Sequence, residues 1–174
     1  MRPLALAVLT GALVLAAAGC MSDSPDDWSF PASDDPNPEG WVQGEPFPCS
    51  DFEVLWETSK IHATRGGYRI DDDGTSQSRK RITTAWKVEL APRKGDGCRR
   101  RRFIEVQEVE GAKNQWRARV STVVQRNMDL DDPLNAANAE WRKAEPDVDD
   151  AERVLWMLEA RFRDFGPSKD FEVK

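Results

Sequence analysis

The spacing of apolar positions changes several times along the chain, and each spacing predicts a different element. Residues 4–18 form an almost continuous apolar run behind Arg2, broken by Thr10 and Gly11. Residues 21–48 show no period. From Phe52 the period is helical: Phe52, Leu55, Trp56, Ser59 and Ala63 share one stripe. Ser50-Asp51-Phe52-Glu53 reads as a capping box with Ser50 as N-cap, and Gly66-Gly67 as the stop. The period then falls to two. Tyr68-Arg69-Ile70 is a short strand before a turn at Asp71-Asp72-Asp73-Gly74. In residues 82–90, Ile82, Thr84, Trp86, Val88 and Leu90 face one way, and Thr83, Ala85, Lys87 and Glu89 the other. Beyond a Pro/Gly turn, residues 99–109 point Ile104 and Val106 inward. A last strand places Trp116, Ala118, Val120, Thr122 and Val124 inside, and Arg117, Arg119, Ser121 and Gln125 outside. Such alternation marks an antiparallel sheet covered on one side only.

Helical spacing returns twice. Residues 133–144 predict a short helix around Leu134, Ala137 and Trp141. A longer one follows, with an acidic start at Asp149 and Glu152 and a stripe of Ala151, Val154, Leu155, Leu158, Phe162 and Phe165, ended by Gly166-Pro167. Residues 49–174 are enough for one compact domain. The expected fold is α+β, a two-layer sandwich of an antiparallel three- to four-stranded sheet with two amphipathic helices on one face. Trp56, Trp86, Trp116 and Trp156 are expected in or at the rim of the interlayer core.

The N-terminal run is short for a membrane span, which needs about 20 apolar residues. Arg2, the apolar run and Ala17-Ala18-Gly19 before Cys20 have the layout of a signal peptide covering residues 1–19. Ala18-Gly19-Cys20 also resembles the lipobox of bacterial lipoproteins, with Ala17 where that box prefers Leu. The resemblance implies that Cys20 is lipidated, with a diacylglycerol on sulfur and often a further palmitate-type chain on the amine. Several chains give stable anchoring where one gives only marginal affinity. Met21, in place of an Asp after the cysteine, favours the outer membrane, facing the periplasm. Acylation would leave Cys49 and Cys98 in an oxidising compartment. They are expected to form a disulfide worth about 4 kcal/mol in the loop-entropy picture, the alternative being two free thiols.

Residues 21–48 carry seven acidic and no basic residues and six prolines, the composition of a disordered tether reaching roughly 30 Å. Trp28, Phe30, Trp41 and Phe47 interrupt it. Either they graze the membrane interface or the domain, or they form a linear docking motif for a partner.

A second resemblance rests on Asp51-Phe52 to Trp56, residues 65–71 (RGGYRID) and Thr83-Thr84-Ala85-Trp86. These 35 or so residues are similar in pattern to the repeated module of BamC/NlpB-type outer-membrane lipoproteins, of which this chain holds one copy. The resemblance implies an accessory role in envelope assembly.

Charge is unevenly placed. The whole chain carries −6, yet residues 65–126 hold sixteen basic against eight acidic side chains. The run Arg99, Arg100, Arg101 and Arg102, with Arg79, Lys80, Arg81, Lys87, Arg117 and Arg119, suggests contact with an anionic envelope component, or else internal complementarity with the acidic helices. An exported address and acidic tether argue against nucleic acid. Asp71-Asp72-Asp73-Gly74 lacks the ligand register of a calcium loop. His62 is the only histidine, so neither a histidine-rich metal site nor a Ser-His-Asp triad can be built with confidence. The expectation is a non-enzymatic, lipid-anchored adaptor with a protein partner and no cofactor, or alternatively a binder of anionic glycolipid or cell-wall polymer.

Overall fold

A computed structural model describes residues 38–163. Its elements are β1 (Val42–Gln43), β2 (Phe47–Pro48), α1 (Phe52–Thr64), β3 (Arg81–Thr83), β4 (Lys87–Glu89), β5 (Cys98–Glu108), β6 (Gln115–Asn127), β7 (Trp141–Lys143) and α2 (Val148–Arg163). The class is α+β with an antiparallel sheet. Strands β5 and β6 pair from Cys98↔Arg126 to Glu108↔Trp116 and form its spine. The free edge of β5 takes β3 and β4, and that of β6 takes β2, β1 and β7. Seven strands thus replace the three or four expected, because short segments lie end to end along both edges of one long hairpin.

Both helices pack on one face of the sheet, α1 against β3 and β5 and α2 against β6, β1 and β2. Leu55, Trp56 and Ala63 of α1, and Ala151, Val154, Leu155, Leu158 and Phe162 of α2, meet Ile82, Ile104, Val106, Ala118 and Val120. Asp51, not Ser50, caps α1: its Oδ1 accepts from the Glu53 N–H at 2.9 Å. Gly66 and Gly67, at φ +77° and +86°, release the chain at the other end, where a Cβ would be strained. Asp147 precedes α2, and its Oδ1 accepts from the Asp150 N–H at 3.0 Å.

Four expectations are corrected. Residues 38–48 belong to the fold rather than to a tether: Phe47 pairs with Trp116, is fully buried, and stacks on Phe162 at 5.3 Å. Residues 133–144 form no helix, since turns lead directly into β7 at Trp141. Trp156 is 69% exposed on α2, and only Trp56 and Trp116 of the four tryptophans are in the core. Cys49 and Cys98 are both free, buried thiols. The Cys49 N–H donates to the Asn114 carbonyl, while Cys98 pairs with Arg126. Asn114, just before β6, and Arg126, near its far end, are about 40 Å apart at strand rise, far beyond what a disulfide spans.

The fifth difference shapes the site. Ile82 pairs with Ile104, but Lys87 pairs with Arg100, so the β3–β4 side carries one residue more than β5 between those pairs. This bulge switches the faces of everything after it. Trp86 and Val88 move to the face away from the helices, and Lys87 and Glu89 to the helix side. The Thr84 hydroxyl pins the irregular stretch by accepting from the Arg102 N–H at 2.9 Å, while the Ala85 N–H donates to the Arg69 carbonyl at 2.8 Å.

Cys20, Trp28, Phe30 and Phe165 lie outside the described residues.

Candidate functional site

Strand alternation splits the arginine run. Arg100 and Arg102 share the helix-side face with Ile104, whereas Arg99 and Arg101 share the opposite face with Phe103. The inward pair is structural. Arg100 Nη1 donates to Glu89 at 2.7 Å, and its Nε lies 3.4 Å from Asp147. Arg102, 6% exposed, forks onto Asp150, donates from Nη1 to the Ala63 and Arg65 carbonyls at 3.1 and 2.6 Å, and lies 3.9 Å from the Tyr68 ring centroid. Burial pushes the Tyr68 hydroxyl up to about 12, so it stays neutral. Lys87, also on this side through the bulge, lies 5.5 Å from the same ring and pairs with Glu89.

The outward face gathers side chains from six segments. Arg99 and Arg101 come from β5, Arg117 and Arg119 from β6, Arg81 from β3, Trp41 from the approach to β1, Trp86 from the bulge, and Trp141 from β7. Aromatic rings and guanidiniums interleave there. Arg99 lies 4.5 Å from the Trp86 centroid and 4.8 Å from that of Trp141. Arg101 reaches both Trp86 and Phe103, at 5.9 and 5.4 Å, and pairs with Asp71. Phe103 also carries Arg81 at 5.1 Å and Trp41 edge-on at 6.5 Å, and Arg119 lies 4.3 Å from Trp41. Each such contact is worth about 0.5–1 kcal/mol where exposed and about 2 where dry. Together they hold long cationic side chains against the sheet instead of letting them roam.

Besides Asp71, the carboxylate of Glu105 sits among them. It accepts from Arg119 Nε at 2.7 Å and faces Arg81 Nε at 3.5 Å. Arg99 differs from its neighbours: its Nε donates to Gln125 Oε1 at 2.7 Å, and among the described residues no carboxylate pairs with it. Burial, and then the charge of Arg101, lower its pKa, marking a cation short of compensation.

The structure therefore brings together Arg99, Arg101, Arg117, Arg119 and Trp41 of the sequence-expected binding residues, and takes Arg100 and Arg102 away. Sequence reading missed Trp86, Trp141, Phe103 and Glu105 as members of this face. Strict alternation from Phe103 on β5 would have found the last two; the bulge hid Trp86. His62 is buried, and its pKa is lowered to about 4 by burial and by Arg65 and Arg161. Among the described residues no group of His, Cys, Asp and Glu could hold a metal ion, and no helix is long and apolar enough to cross a membrane. No protein-family model and no curated protein matches the chain.

Proposed function

We propose that this is a lipid-anchored cell-envelope protein, held at Cys20, that works without catalysis by binding an anionic envelope polymer on the outward sheet face. The observation that carries the reading is the lattice of arginines and aromatics on the face the helices leave bare. A guanidinium stacked on a ring has already lost much of its rotamer freedom, so an anion that meets it costs less ordering. Rows of such groups along two long strands suit an extended polyanion better than a small ligand.

The test is retention on isolated envelope polymer as salt is raised. Binding should weaken steeply from low to physiological salt, because screening acts on exposed charges first. Arg99→Ser with Arg101→Ser should abolish it. Salt-independent retention, or full binding by that double variant, removes the reading. The same preparation should release a diacylglycerol-modified peptide beginning at Cys20.

A second reading, an adaptor for an envelope protein, is favoured by Trp156 on the far side of the molecule. An exposed tryptophan on a rigid helix is the type of anchor that dominates protein interfaces. Crosslinking in intact cells with and without Trp156→Ala would reveal a partner lost with that ring.

A further inference from the structure

Resting on the second reading, in which Trp156 anchors a protein interface, we infer that the partner is a second copy of this chain, paired along α2 about a two-fold axis at Trp156. The buried side of α2 is Asp150, Ala151, Val154, Leu155, Leu158 and Phe162. Its other side carries Asp149, Glu152, Arg153, Trp156 and Arg163, all exposed, with half-buried Ala160 between the last two. Trp156 stands at the middle of the helix, and Asp149 and Arg163 lie seven residues before and after it. Seven residues are close to two turns, so the three share one stripe. An acid sits about 10 Å to one side of the ring and a base about 10 Å to the other.

That stripe complements its own reverse. In an antiparallel pair of α2 helices each Asp149 faces Arg163 of the other copy, and the two Trp156 rings meet at the axis. Each contact then occurs twice, as in any isologous pair. A parallel pair instead sets Asp149 against Asp149 and Arg163 against Arg163. Side chains on a helix lean toward its N-terminus, so Trp156 overlies the turn at Glu152. That is the level of Ala160 in the antiparallel copy, whose small side chain leaves room for the indole. Helices that lie on lipid carry Lys and Arg on their polar face, whereas Asp149 and Glu152 accompany this ring, so a membrane surface fits less well. Exposed ion pairs are worth little each; the rings supply attraction and the charges orientation. One helix stripe covers less than the roughly 1,200 Å² of a stable interface. The pair is therefore weak in dilute solution, where the chain is a monomer, and forms where copies are crowded, as a shared membrane anchor would arrange.

The experiment is sedimentation equilibrium of the full mature chain, carrying Cys20→Ser, at up to roughly millimolar concentration. The chain should self-associate. Asp149→Arg and Arg163→Asp should each weaken that association about tenfold, since two attractions become two repulsions. An equal mixture of the two variants should pair as well as the unaltered chain, because each copy then meets the opposite charge at both ends. Circular dichroism and an unchanged melting temperature at micromolar concentration establish that the variants are folded. A mixture that associates no better than either variant alone, or undiminished association in Trp156→Ala, overturns the antiparallel pair. Absence of self-association overturns it as well, and crosslinking in intact cells then separates it from the reading beneath it. A different protein captured by the unaltered chain and lost with Trp156→Ala leaves the adaptor reading standing, and no adduct of either kind removes both.

Discussion

Asp150 of α2 closes a two-pronged ion pair with Arg102 of β5, Nε to Oδ2 at 2.8 Å and Nη2 to Oδ1 at 2.6 Å. The Thr122 hydroxyl donates to the same carboxylate at 2.9 Å. Because Arg102 also binds the last carbonyls of α1, this one side chain joins both helices to the sheet. It lies between the hydrophobic core and the Tyr68 ring, where an unpaired charge has no water to turn to.

Breaking this pair from one side should therefore be severe. Asp150→Ala is expected to cost about 3–5 kcal/mol in urea unfolding, the usual range when a buried charge loses its partner. Removing both charges, as Arg102→Met with Asp150→Leu, should recover much of that loss. The pH dependence has a definite sign. Burial pushes the Asp150 carboxyl up, but Arg102, Thr122 and Arg153 outweigh it and hold it below its ordinary value. Its contribution is thus present above about pH 4 and lost as pH falls through the depressed folded value.

His62 titrates in a window above that. It is 6% exposed, and its folded pKa of about 4 lies below the ordinary 6.5. Above pH 6.5 it is neutral folded or unfolded and costs nothing. As pH falls from 6.5 toward 4 the unfolded chain takes the proton first, so stability declines by on the order of 3 kcal/mol. His62→Phe should flatten that part of the stability–pH curve, as measured by urea midpoints at half-unit steps.

The two ends of β6 keep Cys49 and Cys98 apart. With Cys20 replaced by Ser, Ellman's reagent should find two thiols in denaturant without any reductant, and neither reacting quickly in the native chain. Reductant should leave the melting temperature unchanged. A mass 2 Da below the fully reduced chain would contradict this. The opposite expectation came from counting cysteines in an exported chain, and counting carries no information about which strand end each one occupies.

What the sequence disclosed follows from how local each cause is. Helices α1 and α2, and the inward sets on β5 and β6, are legible because one residue's neighbours at fixed spacing decide them. The bulge is not. Nothing in Thr84-Ala85-Trp86 distinguishes a continued strand from one that gains a residue against β5, so the expected face of Trp86 and Lys87 was inverted. The outward arginines were half legible: alternation assigned Arg117 and Arg119 correctly, but a run of four arginines looks like one patch until the pleat divides it. Asp150, in the first turn of α2, is a buried linchpin that no local pattern announces, since only the tertiary fold brings Arg102 to it.

The sharpest case is Phe47. Its surroundings, Gly44-Glu45-Pro46-Phe47-Pro48, carry every mark of an unstructured spacer, and the ring is nevertheless among the largest fully buried side chains. Proline on either side is tolerated because β2 is an edge segment of two residues, where a missing N–H is not needed by another strand. The ring then closes the end of the core between the sheet and Phe162. Phe47→Ala should cost about 3–5 kcal/mol, the usual range for truncating a buried phenylalanine. Trp156→Ala, which removes a larger but exposed ring, should stay within about 0.5 kcal/mol. Urea unfolding of the two variants side by side checks both values. A chain begun at Cys49 should be destabilised at least as much as Phe47→Ala, because it loses β1 and β2 along with the ring, and a stable, cooperative fold in that truncation would show that residues 38–48 are dispensable after all.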